Sequence, residues 1–376
     1  MERYMNRWNK LFVCSLIFFS TNVFAHSTRF LALSDIHFNP FDKAQHYPDT
    51  KNKDPYGDPN AYYLEEALRE VVYLSSHDKK GNVLVASKLP QFIVMTGDSI
   101  AHKFQDEFDK NKDISVCKED ISSCVLKTID YVVDAIRKTQ YGLFSCTPIY
   151  MAAGNNDSVE HNVIDLSFLR LFGEHIYDYS HPCNANIQDK LRFAESFKEH
   201  AGAYIEPRIM DVKGLNLLVL NDILYAKIKG TPDEGPECKD SNNSSIDCSF
   251  LREQQNNFID EFSADGYKPT LVLMHIPPYD AKMGYSEDLL PALDKSLFKG
   301  TPEVYTLAGH KNKHIKLKKV NGYMLSALTF RHESQPGFSI FEYDNEKTWE
   351  IKHCQIADPK EISGKTAPLS FQCEKE

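Results

Sequence analysis

The sequence is short of basic side chains. Its 43 Lys and Arg stand against 53 Asp and Glu, a formal charge of −10, which argues against a nucleic-acid coat or a polybasic membrane binder. No Cys-x-x-Cys pair occurs, which removes the usual zinc-ribbon and dithiol-redox spacing. Gly-x-Ser-x-Gly, His-Glu-x-x-His and a glycine-rich nucleotide loop are missing too, so no serine-hydrolase elbow, zincin helix or P-loop is encoded. No apolar run reaches the roughly 20 residues of a membrane-spanning helix, and no internal repeat or low-complexity tract is present. What remains is the composition of a soluble globular protein: 376 residues, 42% hydrophobic and 26% charged, enough chain to bury one large core.

The first residues read as an export signal. Arg3, Arg7 and Lys10 precede the apolar stretch Leu11–Phe19, and Val23-Phe24-Ala25 places small residues at −3 and −1, so cleavage is expected after Ala25. Losing residues 1–25 removes one acidic and three basic side chains, which takes the formal charge from −10 to −12. It also removes Cys14, leaving eight of nine cysteines. An even count in an exported chain suggests a disulfide framework. Proximity pairs Cys117 with Cys124 and Cys238 with Cys248; Cys354 and Cys373 flank the tail, which leaves Cys146 with Cys183. The expected location is extracytoplasmic: secreted, periplasmic or lumenal, with no transmembrane anchor after cleavage. Asn242-Asn243-Ser244-Ser245 would accept a glycan only in a glycosylating host.

Strand-like apolar runs recur at Phe30–Ser34, Phe92–Thr96, Ile149–Ala152, Leu215–Leu220, Thr270–His275, Val304–Leu307, Tyr323–Leu328 and Gly337–Tyr343. Several are continuous, as in strands covered on both faces. Val125, Leu126, Ile129, Val132, Val133 and Ile136 keep helical spacing, as do Leu251, Phe258, Ile259 and Phe262. Alternating strands and helices predict an α/β layered fold, and the helix-poor later strands suggest a second, more antiparallel sheet. Polar stretches at about 39–60, 103–122, 176–195 and 229–248 read as large loops. The expected organisation is a signal peptide over 1–25, one domain over 26–358, and a disulfide-tethered tail over 359–376.

Metal-capable residues follow the strand-like runs, where open α/β sheets place their ligands. Phe30–Ser34 ends in Asp35-Ile36-His37, and Phe92–Thr96 in Gly97-Asp98 with His102 four residues on. Ile149–Ala153 ends in Gly154-Asn155-Asn156-Asp157, Thr270–Met274 in His275, and Val304–Ala308 in Gly309-His310-Lys311-Asn312-Lys313-His314. One histidine after a strand is commonly structural. Five such endings in succession are hard to explain by packing.

This set resembles the calcineurin-like metallophosphoesterases, whose motifs run Asp-x-His, Gly-Asp, Gly-Asn-His-Asp/Glu, a lone His and Gly-His-x-His. The resemblance spans Asp35 to about Tyr343. In detail it is similar to the branch of acid sphingomyelinase-like phosphodiesterases and endopolyphosphatases: His102 stands four residues after the Gly-Asp aspartate, and Gln335-Pro336-Gly337-Phe338 is similar to that branch's Asn-Pro-Gly-Phe/Tyr turn. Two positions depart from the general pattern. Asn156 replaces the family's protonating His, and Asn312 replaces the second His of Gly-His-x-His. Both replacements, and His161 after the motif, resemble the endopolyphosphatase variant.

The resemblance implies a four-layer αββα sandwich with two central mixed sheets and a two-metal site. Asp35, His37 and Asp98 would hold the first metal, with Asn312 or His314 as a further ligand. Asp98, Asn155, His275 and His310 would hold the second, with Asp98 bridging. Such nitrogen and oxygen ligands suit zinc, with iron, manganese or cobalt as alternatives. Two divalent ions roughly 3.5–4 Å apart can share a hydroxide and polarise a phosphoryl oxygen. Four metal charges against the carboxylates of Asp35 and Asp98 leave a positive spot suited to an anionic phosphate. His102 is the candidate general acid, and Asn156 in place of an imidazole favours leaving groups that need little protonation.

The expected function is therefore an exported dinuclear-metal phosphoesterase. Metal-bound hydroxide would attack a phosphodiester or phosphoanhydride of polyphosphate, nucleotide or phospholipid-headgroup type. Sphingomyelin itself is disfavoured, because the core begins within ten residues of the expected cleavage site and leaves no room for a saposin module. Two rivals stay open: a catalytically impaired binding protein on the same fold, and a metal hydrolase of non-phosphate bonds. Lys311, Lys313, Lys316, Lys318 and Lys319 are either a solvated strand edge or a rim that guides a polyanion.

Overall fold

Phe30, Leu31, Ala32 and Leu33 are all fully buried, and a side chain can be buried at every step only if both faces of the strand are covered. They form strand β1 (Thr28–Leu33) at the heart of a six-stranded sheet. The structure, a computed structural model, describes residues 27–40, 60–77, 81–83, 88–101, 104–110, 120–157, 163–206, 215–225, 237–239, 245–264, 269–278, 304–317, 320–328, 336–343, 348–357 and 369–376. The expected signal peptide, His102, Cys117, His161, Asn242, Lys318 and Lys319 lie outside the described residues.

The first sheet runs β15 (Phe371–Lys375), β14 (Trp349–Ile356), β13 (Gly337–Tyr343), β1, β2 (Phe92–Met95), β3 (Ile149–Met151). Strands β1, β2 and β3 are parallel, and β13 to β15 extend the sheet antiparallel. The second sheet runs β11 (Ile315–Lys316), β12 (Gly322–Met324), β10 (Val304–Ala308), β9 (Thr270–Leu273), β6 (Asn216–Val219), β5 (Tyr204–Glu206). Its four inner strands are parallel and its two edge strands antiparallel. A small third sheet joins β4 (Val163–Asp165), β7 (Glu237–Lys239) and β8 (Ser245–Ile246).

Aromatic packing joins the two large sheets. Phe30 lies in register with Phe92 and Phe341 on its neighbouring strands and stacks on both, at 4.8 and 5.1 Å between ring centroids. Tyr305 on β10 stacks at 4.8 Å on Trp349 of β14, so the sheets meet face to face. Helices α1 (Asn60–Ser76) and α3 (Ile121–Gly142) pack on each other, with α1 reaching β13, while α4 (Leu166–Ser180) packs on β3. The short helix α2 spans Phe104–Lys110, and α6 (Cys248–Ala264) packs against a 3-10 turn at Asp222–Tyr225. This is the anticipated αββα sandwich with two mixed sheets. Among the described residues, no helix is long and apolar enough to cross a membrane.

Four stretches differ from the sequence-based expectation: 103–122 holds α2, 229–248 holds β7 and β8, and the stretch 176–195 and the tail also form regular structure. The polar stretch 176–195 is not a loop: it holds the end of α4 and most of α5 (Ile187–Glu199), an antiparallel pair. Asn186 caps α5 by accepting from the Gln188 and Asp189 N–H groups, and of its residues only Ala194 and Phe197 are buried. The tail supplies β15, which pairs with β14 along the sheet edge and carries the Cys354–Cys373 disulfide. Disulfides also join Cys146 with Cys183 and Cys238 with Cys248. Cys124 is disulfide-bonded as well.

Candidate metal centre

Parallel strands share a direction, so their C-terminal ends gather along one edge. Here the ends of β1, β2 and β3 meet those of β9 and β10. The chain turns sharply at each end, and several turns need left-handed backbone at residues other than glycine: Asp35 (φ 48°), His37 (φ 51°), Asp98 (φ 53°), His310 (φ 71°) and Asn312 (φ 57°). Each costs on the order of 1–3 kcal/mol and persists only where the surroundings over-determine it. Hydrogen bonds do so here. The Asp35 N–H donates to the Gly97 carbonyl at 3.1 Å, His37 N–H to Asp98 at 3.0 Å, and Gly309 N–H to His275 at 2.8 Å. Gly154 has no room for a side chain, since a Cβ there would collide with the Asp98 backbone nitrogen and carboxylate.

The resulting cluster has two parts that share Asp98. Asp35, His37 and Asp98 bring one ligand atom each within 4.8 Å of one another, and so do Asp98, His275 and His310. His37 Nε2 is 3.7 Å from Asp35 Oδ1 and 3.9 Å from Asp98 Oδ2. On the other side His275 Nε2 is 3.3 Å from Asp98 Oδ2 and 2.9 Å from Asn155 Oδ1. His310 Nδ1 is 3.0 Å from that same Asn155 oxygen and 3.2 Å from His275 Nε2. Asn156 donates from its backbone N–H to Asp98 Oδ1 (2.9 Å) and from Nδ2 to Asp98 Oδ2 (2.6 Å).

Neighbouring residues hold these groups in place. His275 Nδ1 lies 2.8 Å from the Thr96 carbonyl, which can only accept, so Nδ1 carries a proton and Nε2 faces the cluster in the orientation a metal ligand needs. Asp222, fully buried, accepts from the N–H groups of His275 (2.9 Å) and Ile276 (2.7 Å). Asp157 accepts from Gly154, Ser99 and Ile100, tying the ends of β2 and β3 together. Ser34 donates to Asp35 and accepts from Thr96, and the His310 N–H also donates to Asp35.

The electrostatics call for a cation. Burial opposes charge on Asp98, but the charge and hydrogen bond of His275, with His37 and His310, hold its carboxyl well below the usual range. Burial likewise opposes charge on His275, yet Asp98, Asp35 and Asp222 raise it to about 10. Burial and then the His275 charge push His310 down to about 4. Burial and the Asp98 charge lift Asp157 to about 6, and burial lifts Asp222 to about 6. A proton on His275 thus supplies the positive charge that this carboxylate-rich pocket requires. Convergent imidazole, carboxylate and amide-oxygen donors fit divalent ions in its place.

Of the residues singled out from sequence, the structure brings together Asp35, His37, Asp98, Asn155, Asn156, His275 and His310. Asn312 is buried, and its Oδ1 has no hydrogen-bond partner among the described residues. His314 joins neither group: its ring stacks on His353 and its Nε2 lies 3.3 Å from Glu376 Oε1. Sequence reasoning overlooked Asp222, although Asn221-Asp222 directly follows the run Leu215–Leu220 in the same pattern as the other strand ends.

A two-sheet sandwich with this strand-end cluster is a fold of the metallophosphoesterase type. The chain belongs to the calcineurin-like phosphoesterase family, whose model matches residues 28–313. No curated protein matches it in sequence. Among solved structures it is similar to GAP50, the anchor in the inner membrane complex of Plasmodium, at 13% identity over 92% of this chain and 89% of that one, with a TM-score of 0.45. It is also similar to the purple acid phosphatase PPD1 from yellow lupin (Lupinus luteus) seeds, at 10% identity over 93% of this chain and 54% of that one, TM-score 0.42. The calcineurin-like phosphoesterase YfkN from Bacillus subtilis is 13% identical over 93% of this chain and 91% of that one, TM-score 0.35.

Proposed function

We propose that the protein is an exported hydrolase of phosphodiesters or phosphoanhydrides that works with two divalent metal ions. One observation carries the reading: the Asp98 carboxylate belongs to both ligand groups at once, the placement a bridging ligand requires. Asp35 and His37 would complete one site, and Asn155, His275 and His310 the other, with Asn312 as a further oxygen donor for the first. Zinc suits these donors best, with iron, manganese or cobalt as alternatives. A metal pair so held supplies Lewis-acid activation of water and of the phosphoryl group.

The remaining roles fall to the chain itself. Thr96 fixes the His275 tautomer, and Asp222 and Asp157 hold the ligand-bearing turns. Asn156 can donate a hydrogen bond but cannot deliver a proton as an imidazolium does. Departing oxygens that need little protonation are therefore favoured, which points to phosphoanhydrides such as polyphosphate or nucleotide polyphosphates. His102, by its sequence position, is the candidate proton donor for more basic leaving groups. The disulfides and the signal-like N-terminus support an extracytoplasmic setting, and the acid sphingomyelinase-like and endopolyphosphatase branch remains our reading of the motifs.

The test is a panel of polyphosphate, nucleoside triphosphate, cyclic nucleotide and phosphocholine substrates, run beside metal analysis on wild type and Asp98→Ala. We expect about two metals per wild-type chain, and Asp98→Ala to lose both metals and at least about 100-fold in kcat/KM. Wild-type turnover in Asp98→Ala would overturn the metal assignment. A second reading, a binding protein on the same fold, draws on Asn156 and Asn312 standing where the wider family has histidines. Two metals per chain with no turnover on any phosphate substrate would select it.

A further inference from the structure

The turn that carries His310 and Asn312 is held at both ends. At its start, Gly309 donates to His275 and His310 donates to Asp35. At its end stands His314, whose side chain is only 4% exposed. The His314 ring stacks on Tyr323 of β12, centroids 4.9 Å apart and planes within 14°, and on His353 of β14, 3.7 Å apart and within 6°. Strand β12 belongs to the second sheet and β14 to the first, so this ring bridges the sandwich beside the metal turn. His353 is held in turn by Ser326 Oγ at 3.2 Å and Ser339 Oγ at 3.0 Å. The free edge of His314 is met by Glu376, with Nε2 3.3 Å from Oε1. Glu376 is itself anchored: its N–H donates to the Ile351 carbonyl at 3.0 Å, and strand β15 just before it is bonded to β14 through Cys354–Cys373.

These contacts form one chain of rigid groups from the sheet edge to the turn. The backbone at His310 and Asn312 is left-handed, a conformation that relaxes unless both ends of the segment are pinned. We propose that Glu376, acting through His314, is a positioning residue for the metal centre: the pair sets the register of the His310–Asn312 turn and so the affinity of the site for metal. The inference rests on the two-metal reading above. It assigns His314 to support of the ligands rather than to ligation.

A stack that serves only stability predicts a lower melting temperature with unchanged metal affinity in the folded protein. A positioning role predicts the reverse. Zinc affinity would be measured by chelator competition on wild type, Glu376→Ala, Glu376→Gln and His314→Phe, together with melting temperature, kcat and KM. Glu376 lies beyond the edge strand with its side chain 37% exposed, so alanine there leaves the core intact. We expect Glu376→Ala and His314→Phe to bind zinc about 10- to 100-fold more weakly, the usual effect of losing an outer support of a metal ligand. The turnover number should fall with KM little changed, and Glu376→Gln, which keeps the length and packing of the side chain against His314, should recover most of the affinity. Wild-type zinc affinity in Glu376→Ala and His314→Phe overturns the inference and leaves the two-metal reading standing. A wild type that holds no zinc overturns both.

Discussion

At the scale of single residues, the centre depends on side chains that are strained and buried but oriented by their neighbours. Asp35, His37, Asp98 and His310 all sit in left-handed backbone, and each follows a strand whose residues have no freedom to relax. Asn156 is the residue that most distinguishes this site chemically. Its amide already donates to Asp98 at 2.6 Å, so Asn156→His places an imidazole against the same carboxylate. We expect the variant to hydrolyse esters of poorly acidic alcohols about 100-fold faster at low pH, within the usual yield of general-acid catalysis. That gain should fade as pH rises through the new histidine's pKa, while phosphoanhydride turnover changes little. Parallel pH profiles on the two substrate types are the measurement, and profiles with no new acid limb would show that Asn156 does not occupy the proton-donor position. Most of the cluster was legible in the sequence because ligand chemistry restricts residue type: Asp, His and Asn recur together at successive strand ends. Asp222 stood at a strand end in the same pattern but was overlooked, because a carboxylate that accepts backbone N–H groups belongs to no ligand motif.

At the scale of elements, legibility followed burial. β1, β2, β9 and β10 are short apolar runs covered on both faces, and each was visible as such. β14 reads Trp-Glu-Ile-Lys-His-Cys-Gln-Ile, buried mainly at alternate positions, and its charged residues concealed it. β15 exposes most of its side chains and is a strand because β14 offers it a ladder and a disulfide, neither of which is a local property of the sequence. α5 was hidden in the same way, since most of its surface is polar. The aromatic row at the centre of the first sheet holds the metal-bearing ends in register. Phe30 is fully buried between Phe92 and Phe341, so Phe30→Ala should cost about 3–5 kcal/mol of unfolding free energy. Denaturant unfolding would show it as a lower midpoint with unchanged slope, and a loss below about 1 kcal/mol would mean that the sheet repacks around the gap.

At the scale of the whole molecule, buried histidines bend the stability of the metal-free protein in opposite directions with pH, His353 and His310 on the acid side and His275 on the alkaline side. His353 is lowered to about 3, first by burial and then by the facing His314; Ser326 and Ser339 hold its ring without adding charge. An unfolded histidine titrates near 6.5. Between those values the unfolded chain takes up a proton that the folded chain refuses, so stability falls as pH drops from about 6.5 towards 3, by up to about 1.4 kcal/mol per pH unit for one proton. His275 acts the other way. It is raised to about 10 by Asp98 and its neighbouring carboxylates in spite of burial, so its contribution is complete below about 6.5 and disappears as pH rises through 10. The metal-free protein should therefore be most stable near neutrality. Thermal melts in chelator from pH 4 to 10 would test this with two variants. His353→Phe, which keeps the ring stack, should make the acid limb shallower without removing it, because His310 at about 4 and the depressed Asp98 also feed it, and should leave the alkaline limb unchanged; His275→Phe should flatten the alkaline limb. Bound metal replaces the His275 proton and should remove the alkaline limb in wild type. An alkaline limb that persists with metal bound would place the cation elsewhere than against His275.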